Sequence, residues 1–188
     1  MITPAELIKL FEIANNNLIK KDYSLFVSAV NERTICGALM LHLHDIIKGD
    51  NIYDGYYVDT EYNRNKGQVK TIVNTIKGRD LSVIRINCDL IVHSRGEKPM
   101  QDNLLAVEMK KSYRPQKEKD EDRNRLIALT KDSFDDVWSF DGKTLPDHVC
   151  RYGLGVYYEI NATQNKILIE YYQEGKFIRS YEKTIKKC

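Results

Sequence analysis

The sequence predicts an α/β domain. Three observations predict it. Apolar residues recur at helical spacing through Lys48, the chain then turns to short β-branched and aromatic runs, and a charged, helix-compatible stretch separates one group of such runs from another. With 188 residues the chain suits one domain able to bury about two-thirds of its unfolded surface.

The first helix is expected over residues 3–20. Thr3-Pro4-Ala5-Glu6 has capping-box spacing with proline at the first helical position. Leu7, Leu10, Phe11 and Leu18 follow at helical intervals, while Asn15, Asn16 and Asn17 weaken the later part. A second helix is expected over residues 24–48 with a break near Asn31. Its strongest part is 32–47, where Ile35, Leu39, Leu43, Ile46 and Ile47 make an apolar stripe and Lys48-Gly49 ends it. Glu32 stands at the head of that stripe, a carboxylate on an inward face. Interaction with the helix dipole is its plain structural account.

Residues 53–62 read as a strand and Asn65-Lys66-Gly67 as a turn. Residues 66–79 carry Lys66, Lys70, Lys77 and Arg79 and no acidic residue, which suggests a basic loop or short helix. Two apolar, β-branched runs follow, 82–93 and 103–110. The polar loop between them contains Gly96 and Pro99, so the pair reads as a hairpin. Residues 111–122 form a charge run, ordinarily a solvated segment. A helix is expected over 120–131, with Leu126, Ile127 and Leu129 supplying apolar contacts, and an irregular stretch over 132–150. Residues 152–160 and 166–172 read as two closing strands, with turns at 161–165 and 173–176. There is no repeat or linker, so a single domain spanning 1–188 is expected, with a core of about 24–172 and the N-terminal helix added to it.

Lys and Arg number 29 against 27 Asp and Glu, a net charge of +2. That excludes a histone-like polycation. It leaves room for a nucleic-acid enzyme, which needs only a local basic rim around acidic metal ligands. The 12 tyrosines, against 5 Phe and 1 Trp, suit half-buried strands and wet binding surfaces. No apolar run approaches the ~18 residues of a membrane span, and residues 1–20 lack the pattern of a signal peptide. Cys36, Cys88, Cys150 and Cys188 form no CxxC pair and fit no zinc spacing, so buried or terminal thiols in a reducing cytosol are expected. His42 and His44 are two apart on a helix and do not share a face. No GxSxG, P-loop or dinucleotide fingerprint occurs. A cytoplasmic protein without a membrane partner is the expectation.

The chemistry concentrates on the hairpin. A symmetric register sets Asp89 opposite Glu108 and His93 opposite Leu104, which places two carboxylates roughly 5 Å apart at Cβ. Alternation points Glu108 and Lys110 to one face and leaves Leu105, Val107 and Met109 for packing on a helix. Two carboxylates this close raise each other's pKa. A hard divalent cation removes that cost, polarises a phosphodiester and acidifies a bound water. A lysine in the same place stabilises developing charge. An exposed cross-strand ion pair is the structural account, but Asp89 and Glu108 interrupt nearly continuous apolar runs, which indicates burial on both faces.

Asp89, eighteen residues, then Glu108-Met109-Lys110 resembles the PD-(D/E)XK nuclease superfamily, restriction-endonuclease-like in fold. The helix bearing Glu32, a strand, the hairpin, a helix and a strand come in the family's order from about Glu32 to Ile160. Residues 88–93, 103–110 and 58–64 carry the likeness, and Cys88 stands where the family often has proline. The resemblance implies a small mixed central β-sheet flanked by helices. It implies Mg²⁺, or Mn²⁺ in its place, held by Asp89, Glu108, the Met109 carbonyl and Glu32, with Lys110 serving catalysis. It further implies Mg²⁺-dependent hydrolysis of nucleic acid, DNA above all, and a homodimer where both strands of a duplex are cut. Glu61 and Arg64 are accessory candidates. Lys66, Lys70, Lys77 and Arg79 are candidates for contact with phosphates, and Tyr62 and Tyr113 for stacking on bases. The rival readings are a nucleic-acid-binding module on the same fold without turnover, and a protein-interaction domain working through its tyrosine-rich strands.

Overall fold

The computed structural model describes residues 1–28, 30–60, 88–132 and 151–187, and the backbone of residues 64–65, 68–69, 71–75 and 81–85. Helix α1 (Pro4–Lys21) opens on the capping box: Thr3 accepts from the Glu6 amide while Glu6 Oε2 accepts from the Thr3 amide at 2.7 Å. The three asparagines do not interrupt it, because Asn15 is buried and its Oδ1 accepts from the Tyr158 hydroxyl at 2.9 Å. The break expected near Asn31 is real. A short α2 (Tyr23–Val27) precedes α3 (Glu32–Lys48), and Asn31 caps α3 by accepting from the Thr34 amide.

The first strand, β1 (Tyr57–Thr60), starts later than the sequence suggests, because a 3-10 turn takes up Asn51–Tyr53. Two ribbons follow: β2 (Arg64–Asn65) pairs with β3 (Gln68–Val69), and β4 (Thr71–Thr75) with β5 (Leu81–Arg85). The stretch expected to be a loop or short helix thus contains strand, consistent with its β-branched Thr71, Ile72 and Val73. The single run expected over 82–93 is split between β5 and β6 (Leu90–His93).

Then come β7 (Asn103–Lys111), α4 (Gln116–Leu129), β8 (Leu154–Asn161) and β9 (Lys166–Gln173). After them a strand not foreseen, β10 (Lys176–Thr184), follows the turn in which Glu174 and Gly175 both have positive φ. Two left-handed central residues make the tight hairpin turn whose twist suits the flanking strands. The expected irregular stretch lies almost wholly outside the described residues.

The main sheet has six strands in the order β1-β6-β7-β8-β9-β10. It is mixed: β7 and β8 run parallel and every other neighbouring pair is antiparallel. Parallel neighbours need a crossover, and α4 lies within it. Helices α1 and α3 cover one face, burying Phe11, Leu39 and Leu43 against Val107, Tyr158 and Ile169. Helix α4 covers the other, with Leu126 and Leu129 against Ile91, Ala106 and Tyr157. The central strands β7 and β8 are therefore buried on both faces, as their near-continuous apolar sequence implies. Gly155 allows α4 its close approach: a Cβ there would meet Thr130 Cγ2 at 3.0 Å and Tyr172 Cβ at 3.2 Å. Among the described residues no helix is long and apolar enough to cross a membrane.

Candidate functional site

The site grows from the point where the β6–β7 hairpin opens. The ladder starts at Leu90↔Val107 and continues through Val92↔Leu105. One step outward, the same register sets Asp89 opposite Glu108, as the sequence predicts. At the loop end a bulge places His93 opposite Asn103 rather than Leu104. Beyond Val107, β6 no longer supplies acceptors to the edge of β7, and carboxylates take its place. The Met109 amide donates to Asp89 Oδ2 at 2.7 Å, and the Lys111 amide to Glu32 Oε1 at 2.9 Å. The two anchor points are two residues apart along the strand, about 6–7 Å.

Alternation then sorts the side chains as expected. Leu105, Val107 and Met109 pack toward α1 and α3, and Ala106, Glu108 and Lys110 face α4. Here α4 contributes two groups. Arg125 Nη1 donates to Glu108 Oε1 at 2.6 Å and to Asp122 Oδ1 at 3.2 Å, and Lys110 Nζ lies 3.0 Å from Asp122 Oδ2. That last contact is an ion pair without directed hydrogen-bond geometry, since Asp122 Oδ2 is buried with no hydrogen-bond partner among the described residues. Three carboxylates thus face two cations.

The electrostatics follow from burial. Glu108 is 1% exposed. Desolvation pushes its carboxyl above the ordinary 4.5, Arg125 pulls it down, and Asp89 and Asp122 push it up again. A 2.6 Å contact with an always-charged guanidinium is the length of a charge-assisted bond, so the ionised form is the one Arg125 holds. Its ionisation is nonetheless harder than that of a free glutamate. Asp89 is also raised, chiefly by burial, against the pull of the Met109 amide and Lys110. Burial disfavours the Lys110 ammonium, but Asp122, Asp89 and Glu108 outweigh it and hold the lysine protonated. The Cys88 thiol, buried beside Glu108, is pushed well up.

Glu32 occupies the neighbouring position. Burial works against its charge, yet Arg114, donating from Nε at 3.2 Å and Nη2 at 3.0 Å, and the Lys111 amide lower its pKa. The Lys111 ammonium is buried with no hydrogen-bond partner among the described residues, and desolvation lowers its pKa against the pull of Glu32. The structure therefore brings Asp89, Glu108 and Lys110 together and sets Glu32 one step along the same edge. His93 turns away: its Nε2 lies 2.9 Å from Asp59 Oδ2, which Arg95 also grips. Glu61, Tyr62, Lys66, Lys70, Lys77, Arg79 and His148 lie outside the described residues, as does the side chain of Arg64. Tyr113 is exposed.

Among the described residues no three His, Cys, Asp or Glu side chains converge as a ready ligand group. Arg125 stands against Glu108 instead. The donor set is all hard oxygen, two carboxylates and the Met109 carbonyl between Glu108 and Lys110, which is the chemistry Mg²⁺ takes when water and substrate phosphate complete its shell. Asp122 and Arg125 are the residues that the sequence reading missed. Their signal lies in α4 itself. Asp122 lies four residues before Leu126 and Arg125 four before Leu129, so both charges sit on the helix's inward stripe.

Comparison with known proteins finds no matching family model, curated protein or solved structure.

Proposed function

We propose that the chain is a Mg²⁺-dependent nuclease of PD-(D/E)XK type that hydrolyses phosphodiester bonds, with DNA as its substrate. The observation that carries the reading is the mouth of the β6–β7 hairpin, where Asp89, Glu108 and Lys110 meet on one face of the sheet. The order of elements supports it: α3, then the antiparallel β1, β6 and β7, then α4, then β8 parallel to β7. Asp89, Glu108 and the Met109 carbonyl would hold the cation, with Glu32 beside them. When bound, the cation would polarise the phosphodiester and acidify a water. Lys110 lies 3.0 Å from Asp122 and faces Asp89 and Glu108, which favour its ammonium form, so it would serve as a fixed positive charge for the pentacovalent phosphorus. Arg114 fixes Glu32 and, through it, the end of β7.

The experiment is Mg²⁺- and Mn²⁺-dependent cleavage of plasmid, linear duplex, single-stranded DNA and RNA, with Lys110→Ala beside the wild type. Cleavage that needs metal and falls about 10²–10³-fold in the variant is the expected result. One observation favours a second reading, a nucleic-acid-binding module without turnover: Arg125 already neutralises Glu108. No cleavage by either protein, and no heat of Mg²⁺ binding, decides for that module.

A further inference from the structure

Arg125 has a position that packing alone does not require. Its guanidinium bridges Glu108 and Asp122 through a single nitrogen, Nη1, and among the described residues its other two nitrogens make no hydrogen bond. The side chain is 24% exposed, whereas those of Glu108 and Asp122 are 2% and 4%. One end is thus buried in the carboxylate cluster, and Arg125 is the only one of the three that is partly exposed. Such buried ion pairs add little net stability, because desolvation offsets most of the attraction.

The charges are one negative in excess while Arg125 sits on Glu108, since Asp89, Glu108 and Asp122 face Lys110 and Arg125. Exchange of the guanidinium for a divalent cation balances the cluster at zero. The released guanidinium then balances the single charge of a phosphodiester. Asp122, one turn back on α4, keeps Arg125 tethered over the site while it leaves Glu108. Nε and Nη2, which make no hydrogen bond among the described residues, suit bidentate contact with phosphate oxygens.

We propose that Arg125 is the exchangeable counter-ion of this site: it neutralises Glu108 in the free protein, yields Glu108 to a divalent cation, and turns to a phosphate oxygen of the bound nucleic acid. The inference rests on the metal-site reading above. It makes cation and guanidinium competitors for one carboxylate, and guanidinium and nucleic acid partners.

The test measures the two ligands separately. Calorimetry at alkaline pH gives Mn²⁺ affinity without nucleic acid, and anisotropy of a labelled, non-cleavable phosphorothioate duplex at saturating Mn²⁺ gives the DNA affinity of the metal-loaded protein. Arg125→Gln is expected to tighten Mn²⁺ and to weaken DNA, each about tenfold, with Arg125→Lys between it and the wild type. A merely structural Arg125 would move both affinities the same way. Unchanged or weaker Mn²⁺ binding in Arg125→Gln, with wild-type binding intact, overturns the exchange and leaves the metal site standing. Absence of Mn²⁺ binding in every protein overturns both. Should Arg125→Gln fail to fold, ¹⁵N spectra of the wild-type guanidinium groups decide. The hindered Arg125 signal is expected to vanish at saturating Mg²⁺, and its persistence while Mg²⁺ binds elsewhere in the site refutes the exchange.

Discussion

The two faces of the main sheet are built on different physics. Under α1 and α3 the contacts are mainly apolar: Phe11 meets the rings of Tyr158 and Tyr171 edge-on, at 6.2 and 6.1 Å between centroids, within a continuous cluster from Leu7 to Ile185. Under α4 the apolar cluster is smaller, and charged groups share the ground with it. Lys119 pairs with Glu159, Arg123 grips Glu170 with two nitrogens and lies 4.1 Å over the Tyr157 ring, and Arg125 grips Glu108. Well-packed apolar residues of similar volume would hold α4 at least as firmly. The first face holds the fold. The second keeps desolvated charge in place, and the proposed nuclease site would draw on that arrangement to receive a cation and an anion.

Core truncation gives the largest contrast. Phe11→Ala is expected to cost about 3–5 kcal/mol by urea unfolding, since it removes a fully buried ring and leaves a cavity among tyrosines. On the proposed function, metal-dependent cleavage per folded molecule is expected to stay as in the wild type. A cost under about 1 kcal/mol would mean that the α1–α3 face does not carry the fold. Glu108→Gln works in the opposite direction on the other face. Because burial raises the Glu108 carboxyl above its ordinary 4.5, its ionisation is harder in the folded state than in the unfolded chain. Its contribution is fully favourable below that ordinary value and is lost as pH rises through the folded one. The glutamine variant lacks that loss. It is expected to be the more stable protein near pH 9, by on the order of 1 kcal/mol, and to have no cleavage activity. Melting temperatures of the two proteins across pH 4 to 9 test this, and curves that stay parallel would break it.

Much of this was legible in the sequence, for identifiable reasons. α1 and α3 carry their apolar stripes and caps in short-range spacing, so both helices are found where they are expected. Asp89 and Glu108 face each other because the pairing from Leu90 to Val92 is symmetric about the loop, and the bulge that displaces His93 lies beyond it. Asp122 and Arg125 were hidden by their company. They sit within a run of charged residues, and only tertiary packing against β7 shows that these two turn inward. β10 was missed because Lys176 to Thr184 is an edge strand with little burial, so its polar sequence shows no clear alternation.

The helix ends sharpen the comparison at smaller scale. Thr3→Ala removes one side of the α1 capping box and is expected to lower stability by about 1 kcal/mol. α4 has no side-chain cap: it starts at Pro115, whose carbonyl accepts from the Glu118 and Lys119 amides. Pro115 has φ −53° and ψ 140°, the extended conformation of an N-cap. Pro115→Ser would therefore create the Ser-x-x-Glu pattern with Glu118 three residues on, worth about 1 kcal/mol. The same change returns freedom to the unfolded chain and costs about 0.4–1 kcal/mol. The two effects nearly cancel, so the urea midpoint is expected to move by less than about 0.5 kcal/mol equivalent. A larger gain would show that the start of α4 is limited by its missing cap. A clear loss would show that the rigidity of Pro115 outweighs the missing cap at the start of α4.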